Sequence, residues 1–296
     1  MTNPSTPTPL ETSIAAFLRA LEGKNRSPET VRAYRTDLAQ FANWLRTDNP
    51  LLVDAGDVTT EDALEFLSHL SRQGLSGVSR RRKLAAVREL YRYLRQIKAV
   101  ADSPVADIDT PKAEERGRNW LTSTEYTKLL AAAGGNPRDF AILQVFLQTG
   151  IRISELCALT LEDIDLAHHL LLVRAGKGMK ARTIPLEKKA AAALKGWLKA
   201  RPAAHHDHVF INYEGEPLRQ NGVRKLLEKY CRVAGITKRV TPHSLRHTFA
   251  THKAAHPQVT TFLLQDLLGH SNPATTRRYV HEAKVNVQKV QEATAL

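Results

Sequence analysis

Apolar residues recur along this chain at helical spacing for most of its length and at strand spacing only briefly. Val31, Tyr34, Leu38, Phe41 and Leu45 follow three- and four-residue steps, so one face of a helix is buried there. Ser27-Pro28-Glu29 opens it with an N-cap, a proline in the first turn and an acid near the positive end. A second helix is expected over about 59–73, starting at Thr59 or Thr60 and ending before Gly74. A third starts near Ser76, with Leu84, Val87, Tyr91 and Leu94 as its core stripe. Residues 10–103 therefore read as a small all-helical bundle. Periodicity then lapses over 99–117, where Pro104, Pro111 and Gly117 place a linker at 104–117. A second domain, 118–296, begins with a helix start at Leu121-Thr122-Ser123, before Tyr126, Leu129 and Leu130. A helix over about 137–149 buries Phe140, Ile142, Leu143, Phe146 and Leu147; Gly150 ends it and ISELCAL begins the next. Residues 170–175 (LLLVRA) and 181–186 (ARTIPL) are β-rich and separated by GKGMK, which predicts a hairpin, with HVFIN at 208–212 as a candidate third strand. The fold class is mainly α: a helical bundle, then a mixed, mostly α domain with one small antiparallel sheet.

Composition agrees with two domains, each able to bury its own core: 296 residues, 42% hydrophobic. No run of about 18 apolar residues suggests a membrane span, and MTNPSTPTPL lacks the make-up of a signal peptide, so a cytoplasmic, nucleoid-associated protein is expected. Cys157 and Cys231 read as small buried hydrophobes in a reducing compartment.

Charge changes the picture more. The formal net charge is +13, which favours a polyanionic partner. Residues 1–110 carry 15 lysines and arginines against 14 acids, while residues 111–296 carry 28 against 16. Within the first part, residues 76–98 carry Arg80, Arg81, Arg82, Lys83, Arg88, Arg92, Arg95 and Lys98 and one acid, Glu89. A charge run is usually a solvated face. Here Arg81, Arg88, Arg92 and Arg95 form a stripe beside the core stripe, so Arg80–Lys83, Arg88, Arg92 and Arg95 are expected to contact double-stranded DNA.

Six residues in short phrases carry the candidate chemistry. Arg152 lies in TGIRISEL, Lys177 in GKGMKAR, His243 and Arg246 in TPHSLRHTFATH, His270 in LLGHSN and Tyr279 in TTRRYVH. Arginine presents a fork of donors that fits two phosphate oxygens and keeps its proton. A tyrosine can attack phosphorus, and a lysine and histidines can move protons. None of these residue types needs a metal for that work, and no metal or cofactor is expected.

With these phrases in this order, the chain resembles the tyrosine recombinases of the lambda-integrase family, most similar to the bacterial Xer type, over about residues 10–290. The resemblance implies an N-terminal core-binding, SAM-like domain and a catalytic domain. It implies that Tyr279 forms a 3′-phosphotyrosyl bond, with Lys177 protonating the 5′ oxygen and His243 and His270 assisting. It also implies a homo-tetramer, or a hetero-tetramer with a related recombinase, acting on two DNA sites through a Holliday junction. Two roles fit, chromosome-dimer resolution and mobile-element integration or excision. A type IB topoisomerase-like reaction and an inactive DNA-binding relative are the alternatives.

Several residues have plainer readings. Arg152 can pair with Glu155. Lys180 and Arg182 lie close to Lys177, in a turn one residue longer than expected. His247 and His252 read as packing or capping residues. The run His205-His206-Asp207-His208 reads as a solvated loop rather than a metal site. Pro257 stands where the family often has glycine before the LLGH helix, so a locally altered turn is expected there.

Overall fold

The computed structural model describes residues 8–48, 54–112, 120–174, 181–269, 276 and 279. The chain forms two compact units, Met1–Arg116 and Gly117–Leu296.

Among the described residues, four helices build the first unit: α1 (Pro9–Gly23), α2 (Pro28–Asp48), α3 (Thr60–Arg72) and α4 (Gly77–Gln96). Local sequence sets their ends. Thr8 and Glu11 close a capping box on α1, Thr59 and Asp62 close one on α3, and the Ser76 hydroxyl accepts the Ser79 N–H at the start of α4. The helix before Ser27 is one that the sequence pattern did not single out. The core holds Phe17, Leu38, Phe41, Leu45, Phe66, Leu70, Leu90, Tyr91 and Leu94, with Phe41 and Phe66 edge-to-face at 5.0 Å. Asp37, itself buried, meets Lys83 at 2.8 Å and also receives Arg82.

Part of the expected linker packs on this unit. Val105 and Ile108 enter its core. Arg88 donates to the carbonyls of Val105 (3.2 Å) and Ile108 and to Thr110 Oγ1 (3.0 Å), and Arg81 donates to the Pro111 carbonyl (3.1 Å). Residues 113–119 lie outside the described set.

The second unit comprises α5 (Ser123–Ala133), α6 (Pro137–Thr149), α7 (Ile153–Ala158), β1 (Ile164–Asp165), β2 (Leu170–Val173), β3 (Arg182–Pro185), α8 (Lys188–Ala200), α9 (Gln220–Val233), α10 (Pro242–Ala254) and α11 (Thr261–Leu268). α6 is the central helix. Nearly every residue on it is buried, as a helix covered on all sides requires, and it packs against α8, α10 and α5. The sheet runs β1-β2-β3, all antiparallel, with Leu171 opposite Ile184 and both buried.

The third strand is Ile164–Asp165; among the described residues HVFIN makes only isolated bridges, Thr160 with His208 and Ile211 with Pro217. The reason is burial. Val209, Phe210 and Ile211 are all within the core, where a strand with one solvated face would alternate. The backbone of Val209 is spent elsewhere, its N–H on Leu159 and its carbonyl on the Trp197 indole. Around Pro257 the chain leaves α10 at Ala254 and turns through His256 and Val259 before Thr260 caps α11.

Candidate active site

Two glycines set the frame. Gly150 ends α6 with φ +62°, and a Cβ there would lie 2.3 Å from the Phe249 ring. That turn delivers Arg152 to the N-cap of α7. Gly269 ends α11 with φ +64°.

Arg152 is held on both sides. Its backbone N–H donates to Glu155 Oε2 (2.7 Å), Nη1 to Glu155 Oε1 (2.9 Å) and Nη2 to the Gly269 carbonyl (3.2 Å). The pairing with Glu155 is therefore real, and one edge of the guanidinium still reaches across to α11. Arg246, one turn into α10, is 3% exposed. Its Nη1 donates to the Gly150 carbonyl (2.7 Å) and its Nη2 to the Leu268 carbonyl (2.7 Å). Burial pulls its pKa down to about 10, helped by the charges of Arg152 and Arg182, so it remains a cation at neutral pH.

A third arginine joins them. Arg182, at the start of β3, grips both oxygens of Glu155 at 3.0 and 2.9 Å and donates Nε to the Leu267 carbonyl (2.9 Å). Burial raises the Glu155 pKa, but hydrogen bonds from Arg182 and the Arg152 N–H, with the two guanidinium charges, bring it to about 2. Leu267, Leu268 and Gly269 thus offer three successive carbonyls at the negative end of α11, each to a different arginine.

Tyr279 is 3% exposed, in a small cluster with Phe249, Ala250, Leu264 and Leu268. Its ring meets His247 edge-on at 4.8 Å and 86°. The Trp120 indole stacks flat on the same imidazole at 5.2 Å and 5°. Trp120 is itself fixed, because its carbonyl accepts from Lys238 (2.6 Å) and the next N–H donates to Thr248 Oγ1 (2.8 Å).

The structure thus gathers Arg152, Arg246 and Tyr279 around the end of α11. His243 is exposed on the first turn of α10, three residues before Arg246 and so on the same side of the helix. Lys177 and His270 lie outside the described residues. His252 is exposed, with its ring 6.2 Å from that of Tyr126, and desolvation lowers its pKa. His247 touches the tyrosine, a role that the sequence pattern did not reveal. Arg182 stands out in the sequence only as a neighbour of Lys177.

The stretch of bases on α4 is divided. Lys83 is buried on Asp37, which Arg82 also reaches; Arg81 and Arg88 hold the 105–111 segment; Arg92 pairs with Glu89 at 2.7 Å. Arg80 is half-buried, with its Nε enclosed. Exposed Arg92, Arg95 and Lys98 line a shallow hollow at the end of the helix. Elsewhere, His205, His206 and Glu216 bring donor atoms within 4.8 Å of one another. His206 already uses both ring nitrogens, on the Gly215 carbonyl (3.0 Å) and the His208 N–H (3.3 Å). That favours the loop reading.

Comparison with known proteins covers both units. The phage integrase family matches residues 119–285, and the N-terminal SAM-like domain of phage integrases matches residues 14–98. Tyrosine recombinase XerC of Lacticaseibacillus casei (strain BL23) is 35% identical over 280 residues, covering 90% of this chain and 93% of that protein. Tyrosine recombinase XerD of Halalkalibacterium halodurans is 35% identical over 274 residues, covering 89% and 90%. The crystal structure of XerA recombinase aligns with TM-score 0.56 and 25% identity over 96% of this chain and 99% of that one. A lambda integrase tetramer bound to a Holliday junction aligns with TM-score 0.76 and 20% identity over 93% and 78%, a likeness of fold.

Proposed function

The chain belongs to the phage integrase family, as a site-specific tyrosine recombinase that cleaves and religates DNA, and we propose the following division of labour among its residues. Arg152 and Arg246 take the nonbridging oxygens of the scissile phosphate, exchanging carbonyl partners for phosphate oxygens. The Tyr279 oxygen attacks phosphorus and the bond to the 5′ oxygen breaks. Lys177 gives that oxygen its proton, while His243 and His270 hydrogen-bond the phosphate and assist proton transfer. The 3′-phosphotyrosyl bond conserves the energy of the broken strand, so religation by the 5′ hydroxyl needs no nucleotide.

One observation carries this reading: two guanidiniums from different helices converge on one helix end beside a tyrosine. The partner is double-stranded DNA, gripped also by the exposed bases of α4. We further assign the chain to a tetramer on two sites, with a second copy or a related recombinase, and to the chromosomal role of the Xer type. Similarity to XerC and XerD across nine-tenths of the chain supports that assignment. In the present arrangement the Tyr279 ring is covered, so the attack requires its hydroxyl to be brought out to the phosphate.

The test is Tyr279→Phe on a nicked suicide substrate. The variant binds DNA and forms no adduct that survives denaturing electrophoresis; an adduct at the wild-type level assigns the nucleophile elsewhere.

A further inference from the structure

We infer that Arg182 is a positioning residue for cleavage: it neutralises and aims Glu155, so that the Arg152 guanidinium stays available to the scissile phosphate. The inference rests on the reading above that Arg152 holds that phosphate.

Glu155 is the pivot. Its carboxylate accepts from the Arg152 backbone, from Arg152 Nη1 and from both terminal nitrogens of Arg182, whose side chain is only 9% exposed. A carboxylate paired with Arg152 alone would compete with the phosphate for the same cation. A bidentate second guanidinium changes that balance. Arg182 satisfies the Glu155 charge through both carboxylate oxygens, and Glu155 then fixes the direction of the Arg152 fork without claiming its charge. Among the described residues, Arg152, Arg182 and Arg246 face one carboxylate, which leaves two positive charges in surplus. A phosphodiester brings one negative charge, and a second develops as the tyrosine oxygen adds to phosphorus. The surplus therefore matches the transition state better than the ground state.

Arg182 reaches the other side of the site as well. Its Nε holds the Leu267 carbonyl, and its guanidinium lies so close to Gly269 that a Cβ there would sit 2.9 Å from Nη1 and 3.1 Å from Cζ. The glycine of LLGH is therefore required twice, by its φ of +64° and by the approach of Arg182. One side chain on β3 thus sets the direction of Arg152 and the end of the helix that leads into His270. No local sequence pattern announces it, because its partners lie 27 and 85 positions away.

The plainer alternative is that Arg182 only ties β3 to α7 and α11. A double-mutant cycle in the full chain separates the two, read as the single-turnover cleavage rate on a nicked suicide substrate with DNA affinity measured alongside. Arg182→Gln is expected to bind DNA within about twofold of wild type and to cleave on the order of 10–100-fold more slowly. In an Arg152→Lys background, where the fork is already absent, the same change is expected to cost less than about threefold. Arg182→Lys, which keeps the charge and part of the contact, falls between wild type and Arg182→Gln. Wild-type cleavage by Arg182→Gln overturns the inference, as does a full, undiminished loss in the Arg152→Lys background. If Arg182→Gln fails to fold or to bind DNA, Arg182→Lys takes its place in the cycle under the same two criteria. Wild-type cleavage by Arg152→Lys alone removes the phosphate reading itself, and is visible without any Arg182 variant.

Discussion

At Gly150 a single side-chain carbon has two reasons to be absent. The left-handed backbone costs a non-glycine residue about 1–2 kcal/mol, and a methyl driven into the Phe249 ring costs about 1–3 kcal/mol more. Gly150→Ala is therefore expected to lower unfolding free energy by about 2–5 kcal/mol in urea melts. Gly196→Ala, on the exposed face of α8 with nothing within 4 Å, is expected to raise it by about 0.5–1 kcal/mol. Equal effects at the two positions would remove the steric argument. Glu155 makes a prediction in pH. Its folded pKa, about 2, lies below the ordinary 4.5, so its contribution is complete above about pH 5 and fades as pH falls towards 2. The stability gap between wild type and Glu155→Gln should close over that interval; a gap constant with pH would show that the charge does not matter. Arg152, Arg246 and Tyr279 were legible because each sits in a phrase whose residue types suit phosphate chemistry. Arg182 and His247 were not, because their roles are fixed by partners far along the chain or by ring stacking that leaves no periodic trace.

Among the elements, α2, α3, α4, α5 and α6 were readable because apolar stripes and caps agree at each of them. The β2–β3 hairpin followed from two β-rich runs around glycines. HVFIN misled because three consecutive buried residues look alike whether they pair in a sheet or plug a core. The residues after α4 look like a connector because prolines break their pattern, and only the structure shows Val105 and Ile108 buried. The bases of α4 show the same ambiguity between solvated face and contact surface. Arg88→Ala would leave the carbonyls of Val105 and Ile108 without their donor, and is expected to cost roughly 1–3 kcal/mol in the melting of the first unit. Replacing Arg92 and Arg95 should leave that melting alone and reduce the log–log salt slope of DNA binding by about 0.9 for each phosphate no longer neutralised. The reverse pattern would exchange the structural and DNA-facing members of the helix. Asp37→Ala, which strands buried Lys83, should be the more damaging change, at about 3–5 kcal/mol.

For the molecule as a whole, charge and stability are distributed unevenly. The region from 111 onward carries nearly all of the excess positive charge, and much of what α4 offers is spent inside its own unit. Hydrophobic burial in the second unit is divided too. The main core surrounds α6 and includes Leu245 of α10, while Phe249, Ala250, Leu264, Leu268 and Tyr279 form a small core of their own. Amide exchange should expose that division. The amides of α6 are expected to exchange only through global opening of the unit, and those of α11 through a smaller, cheaper one with a shallower dependence on denaturant. Identical opening energies for the two helices would fuse the cores into one cooperative block. Because α10 spans both, Arg246 is expected to give up the Leu268 carbonyl but keep its hold on Gly150 when the small core opens around the tyrosine. Tyr279 can then be unwrapped many times during the life of the folded protein, at the energetic cost of a few side chains rather than of the domain.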